Sequence, residues 1–111
     1  MKDLTKIKCV PCEGGMPPME ISEVKKLLEQ TPGWSADANL KIEKVFEFKN
    51  FRQAFSFLTQ VALLAESEGH HPDFSLFSWN KVKITLSTHA IGGLSQNDFI
   101  LAAKINKFLE K

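Results

Sequence analysis

The chain has no tyrosine, only two cysteines, and no apolar run that approaches the length needed to cross a bilayer. The short apolar runs exclude a transmembrane helix. Met1-Lys2-Asp3-Leu4-Thr5-Lys6 is followed by no apolar h-region, so the N-terminus does not read as a secretory signal. Two cysteines without an export signal point to a reducing cytoplasm, not to a disulfide scaffold. An excess of one charge is also missing. Lys and Arg number 14 against 13 Asp and Glu, giving a formal net charge of +1, and no long basic run appears. That argues against a nucleic-acid binder held by phosphate contacts.

What is present is a core. Hydrophobic residues make up 43% of 111 residues, including nine phenylalanines, which is too many for disorder. A chain of this length fits one domain and can bury roughly 65% of its unfolded surface. A single domain over 1–111 is expected, with 1–18 as an irregular arm carrying Cys9, Cys12, Gly14-Gly15 and Pro17-Pro18.

The pattern after the arm predicts helix, two strands, helix, two strands, helix. Ile21, Val24, Leu27 and Leu28 recur at helical spacing before Pro32-Gly33. Trp34–Ala38 and Leu40–Phe48 read as strands around a turn at Ala38-Asn39. Asn50 is a good N-cap for the longest helix, with a stripe of Phe51, Ala54, Phe55, Leu58, Val61, Ala62 and Ala65, ended by Gly69. Phe74–Ser78 and Lys81–His89 form a second strand pair around Trp79-Asn80; Val82, Ile84 and Leu86 take one face of the last strand. Ser95-Gln96-Asn97-Asp98 has capping-box spacing and opens a last helix carrying Phe99, Ala102, Ala103, Ile105 and Phe108. The fold class is therefore α+β: a four-stranded antiparallel sheet with three helices on one face.

All three histidines fall at element ends. His70 and His71 follow the Gly69 stop and precede Pro72, which biases His71 toward extended backbone. His89 is expected to end the fourth strand, before a loop with Gly92-Gly93. Helix ends, strand ends and Gly-rich loops are where pockets form. A histidine alone is usually a satisfied polar residue, but three gathered this way suggest a site that moves protons near neutral pH. Three imidazoles also suit zinc, yet no His-Glu-x-x-His is present and an adjacent pair chelates poorly, so no metal is expected. Cys9-Val10-Pro11-Cys12 is a lone CxxC without a strand before it or a helix directly after it; a structural or incidental role is expected.

Glu66-x-x-x-His70-His71-Pro72, Trp79, Ser87-Thr88-His89 and Gly93-Leu94-Ser95-x-x-Asp98 together resemble the signature of pterin-4a-carbinolamine dehydratases. The likeness runs on through Phe99–Ile105. It also covers Cys9-x-x-Cys12, Gly14-Gly15, Pro17-Pro18, Leu27-Leu28 and Pro32-Gly33-Trp34, as in bacterial members. The resemblance implies the same four-stranded α+β fold, homo-dimers or homo-tetramers, and no cofactor or metal. It implies a lyase in tetrahydrobiopterin recycling that dehydrates 4a-hydroxytetrahydropterin, linked to an aromatic amino-acid hydroxylase. His70 and His89 would be general acids on the two faces of the pterin, with His71 chiefly binding substrate. Asp98 would accept a hydrogen bond from His89, and Glu66 from His70. Pro72, Thr88, Ala90 and Ile91 would line the pocket, with Trp79 near it. The alternative is a non-catalytic binding or chaperone protein on the same fold, acting on a pterin or molybdopterin enzyme.

Overall fold

The computed structural model describes residues 3–10 and 17–109; Cys12, Gly14 and Gly15 lie outside them. Helix α1 spans Ile21–Leu28, strands β1 and β2 Ser35–Asp37 and Lys41–Glu47, helix α2 Phe51–Glu68, strands β3 and β4 Asp73–Phe77 and Lys81–Leu86, and helix α3 Gln96–Lys107. The strands pair antiparallel in the order β1-β2-β4-β3, so the two hairpins meet through their second strands. This is the α+β order expected.

In the central pairing Ile42 stands opposite Leu86 and Phe46 opposite Val82, with Ile84 between them on β4. These five are buried and form the sheet's inner face. The outer face of the same strands carries Glu43 against Lys83 and Glu47 against Lys81, exposed pairs that add little stability. One face is thus apolar and covered, the other charged and open, as period-two alternation demands.

Helix α2 corrects the expected stripe. Asn50 does cap it, its side-chain oxygen accepting from the Gln53 amide at 2.8 Å. The buried positions, however, are Ala54, Phe57, Val61 and Ala65, while Phe51 and Phe55 are 54% and 48% exposed. The helix is apolar on more than one side, so periodicity alone allows two stripes. Ring contacts select one: Phe57 packs on Phe46 and Phe48 with centroids 4.8 and 4.9 Å apart. Phe108 is likewise outside α3 and 40% exposed, not part of its buried face.

The arm is less irregular than its sequence suggests. Leu4–Lys6 form a 3-10 turn, capped where the Asp3 side chain accepts from the Thr5 amide. Leu4 and Cys9 belong to the same core as the sheet.

Candidate active site

Gly69 ends α2 with φ +68°, a left-handed turn that glycine adopts without steric cost. The chain then runs on to β3, and the two neighbouring histidines part. His70 turns inward, its side chain 11% exposed; His71 turns outward, 64% exposed. His70 Nε2 lies 2.6 Å from Asp98 Oδ1, and His71 Nε2 lies 2.8 Å from Glu66 Oε1. Both expected pairings are therefore corrected: Asp98 meets His70 instead of His89, and Glu66 meets His71 instead of His70. The four-residue spacing from Glu66 to His70 assumed one helical face, but the Gly69 stop swings His70 off that face and leaves His71 beside Glu66.

Asp98 is the third residue of α3 and fully buried. Its second oxygen accepts from the Thr88 hydroxyl at 2.9 Å and from the Ser95 amide at 3.0 Å. The hydroxyls of Thr88 and Ser95 are 2.7 Å apart, and Ser95 with Asp98 closes the capping box. A buried carboxylate is tolerable here because every donor around it is spent on it and the N-terminus of α3 favours negative charge. With Asp98 ionised, Nε2 of His70 donates to this carboxylate, and Nδ1 is the ring nitrogen not engaged by it.

Strand β4 stops at Leu86, earlier than expected, and His89 opens a 3-10 turn over His89–Ile91. His89 is exposed; its carbonyl accepts from the Gly92 amide at 3.2 Å, and its imidazole makes no hydrogen bond to any described residue. The turn closes through Gly93, which pairs with Thr88, and the next amide, Leu94, donates to the Asn39 carbonyl at 2.8 Å. A Cβ on Gly93 would stand 2.7 Å from that carbonyl oxygen and 2.8 Å from Pro18 Cβ. Gly93→Ala is therefore expected to destabilise the fold by about 2–3 kcal/mol, at the high end for overpacking, because backbone must move. Denaturant unfolding checks this; an unchanged midpoint would show that the loop yields freely.

All three histidines, Thr88 and Ala90 border one cavity of about 260 Å³, together with Val10 and Asn97. Three residues tied to the site by resemblance are not part of its lining. Trp79 occupies the β3–β4 turn with φ +58°, at the far end of six-residue β4 from His89, roughly 20 Å away along the strand. Pro72 does not border the cavity, and Ile91 borders a separate hollow with Pro17, Pro18 and Leu94. Glu66 reaches the cavity only through His71. Among the described residues no three His, Cys, Asp or Glu side chains converge as a metal would require.

The sequence model of the pterin 4 alpha carbinolamine dehydratases matches residues 17–108. The chain belongs to this dehydratase family. A putative pterin-4-alpha-carbinolamine dehydratase of Alkaliphilus metalliredigens is 47% identical over 108 residues, 96% of each chain. A transcriptional coactivator/pterin dehydratase from Brucella melitensis superposes with a TM-score of 0.78 at 35% identity, covering 84% of this chain and 99% of its own. A pterin dehydratase-like RuBisCO assembly factor of the alpha-carboxysome superposes with a TM-score of 0.58 at 25% identity, covering 70% of this chain and 90% of its own.

Val10 and Asn97 are the cavity residues that sequence reasoning missed; the arm's lack of any period hid the first. In this dehydratase-family chain the arm is bound to both helices that flank the histidines. The Cys9 amide donates to Glu68 Oε1 at 2.8 Å, and the other Glu68 oxygen takes the Lys104 ammonium at 2.8 Å. Asn97 Oδ1 accepts from the Val10 amide at 3.0 Å, and its Nδ2 donates to the Val10 carbonyl. Burial, with the nearby Glu68 carboxylate, pushes the Cys9 thiol up to about 12. It therefore stays protonated and a poor nucleophile.

Burial alone would raise the Glu68 carboxyl, but Lys104 and the Cys9 amide outweigh it and hold it below its ordinary value. A carboxylate lowered by folding contributes stability that is complete above its unfolded pKa and is lost as pH falls through the folded one. The arm is thus expected to stay docked from pH 8 to 5 and to loosen only below about pH 4. Protection factors for the Cys9 and Val10 amides measure this; loosening between pH 7 and 5 would contradict it.

Proposed function

We propose that the chain is a lyase that removes water from a 4a-hydroxytetrahydropterin to give the quinonoid dihydropterin. The C4a–O bond breaks, the oxygen leaves as water after taking a proton, N5 loses its proton, and a C4a=N5 double bond forms. No electron changes hands, so side chains that transfer protons suffice and no cofactor or metal enters. Hydroxide is a poor leaving group, and an imidazole titrating near neutrality meets the need; such help is worth roughly 10²–10⁴ in rate.

The observation that carries this reading is three histidines in three different states around one cavity: the His70 ring tied to a buried carboxylate, the His71 ring to an exposed one, and the His89 ring unbonded among the described residues. His70 and His89 would act as general acids from opposite sides of the ring, and His71 would hold it. Thr88 and Ala90 would pack beside it, and Asp98 would orient His70. The substrate would come from an aromatic amino-acid hydroxylase, in tetrahydrobiopterin recycling, in the cytoplasm. Residues 1–111 would act as one domain in a homo-dimer or homo-tetramer. Exposed Phe74 and Phe77 on edge strand β3, with Phe51 and Phe55 on α2, support the oligomer.

The likeness to a RuBisCO assembly factor supports a second reading, a non-catalytic binding or chaperone protein on this fold. Turnover of freshly generated 4a-hydroxytetrahydropterin separates the two. Acceleration over the spontaneous rate is the expected result; a rate equal to it would sink the enzyme reading and favour the second.

A further inference from the structure

We propose that the Cys9-Val10 stretch of the N-terminal arm is a wall of the pterin site, with Val10 setting specificity for the apolar part of the ligand and Asn97 positioning it. This deepens the dehydratase reading and rests on it. Among the nine described residues that line the cavity only Val10 and Ala90 carry aliphatic side chains, and Val10 is the larger. Val10 is 64% exposed, so its side chain is open to a ligand in the cavity. Its backbone is held on both sides. Asn97 bonds its amide and its carbonyl together, as a neighbouring strand would, and the preceding Cys9 amide is fixed by Glu68. The Cys9 thiol also approaches the Asn97 carbonyl, at 3.7 Å.

Asn97 directly precedes Asp98, so the turn that carries the partner of His70 also carries the clamp on the arm. The polar side of the cavity, formed by the histidines and Thr88, suits the heteroatoms of a pterin. Val10 suits its carbon side: the ring face near C6 or the substituent borne there. Residues 1–16 of the arm lie outside the stretch matched by the family's sequence model, 17–108. A wall built from them can therefore tune this chain's ligand preference without altering the shared machinery.

The test uses the full chain in a Cys12→Ser background, where Cys9 is the one remaining thiol. Two variants are compared with that parent: Asn97→Ala, which releases the arm, and Val10→Ala, which keeps it docked and trims the contact. Cys9 should react slowly with an aromatic disulfide reagent in the parent and in Val10→Ala, and at least about tenfold faster in Asn97→Ala. Both variants should raise KM about fivefold for a 4a-hydroxytetrahydropterin bearing a C6 side chain, and less for the 6-unsubstituted compound, with kcat within twofold. Parental KM in Val10→Ala, or a loss of kcat alone in Asn97→Ala, would overturn the inference while leaving the dehydratase reading intact. A parent that does not turn over would sink that reading, and the inference with it.

Discussion

Asp98→Asn is expected to leave a folded protein whose kcat falls by about 10²-fold or more. The carboxylate takes three donors: the His70 Nε2 proton, the Thr88 hydroxyl and the Ser95 amide. An asparagine has one oxygen, and the Ser95 amide cannot turn away, so the oxygen faces Ser95 and Thr88. Its NH₂ group then faces His70. To avoid two opposed donors the imidazole must move its proton to Nδ1, the nitrogen that would otherwise exchange with the ligand. The ring then lacks the carboxylate that stabilises its protonated, proton-donating form, and KM should change far less than kcat. The cost to stability is about 1–3 kcal/mol, since one buried bond is weakened and none is left wholly unmade. Steady-state kinetics alongside thermal melts test this. A folded variant with parental kcat would make Asp98 a helix cap and nothing more.

The three histidines are expected to fail differently when removed. Because His70 comes from the stop of α2 and His89 from the turn after β4, a flat ring between them shows each a different face. The 4a-hydroxyl projects from one face only. His70→Ala and His89→Ala should each lower kcat by about 10²–10⁴-fold, with opposite preference between the two 4a epimers. His71→Ala should mainly raise KM, since its ring is exposed and tied to exposed Glu66. Their stabilities should separate as well. His89→Ala and His71→Ala should stay within about 0.5 kcal/mol of the parent, as exposed substitutions do. His70→Ala strips a buried carboxylate oxygen of its donor and should cost about 1–3 kcal/mol. Kinetics on resolved epimers, with melts, decide the matter. Loss of the same epimer in both acid variants would put them on one side of the ring. Near-parental kinetics in all three would remove the dehydratase reading.

What the sequence determined by itself is everything with a short-range cause. Period-two alternation in Lys81–Leu86 named the buried face of β4, and Asn50 and Gly69 marked the ends of α2, because a cap depends on its own backbone. The Ser95–Asp98 spacing announced a capping box that does form. The gathering of three histidines at element ends likewise marked where a cavity is found. Only the tertiary structure decided which stripe of α2 faces inward, since several sides of that helix are apolar and the choice came from the rings of Phe46 and Phe48. It also decided which carboxylate serves which histidine. Spacing counts along one helix, while Gly69 redirects the chain, so Asp98, 28 residues away, reaches His70 and Glu66 is left to His71. The arm's place beside the histidines was invisible for the same reason. Its hold comes from Glu68, Asn97 and Lys104, residues 59 to 95 positions beyond Cys9, and no local pattern in Cys9-Val10 encodes partners that folding alone brings near.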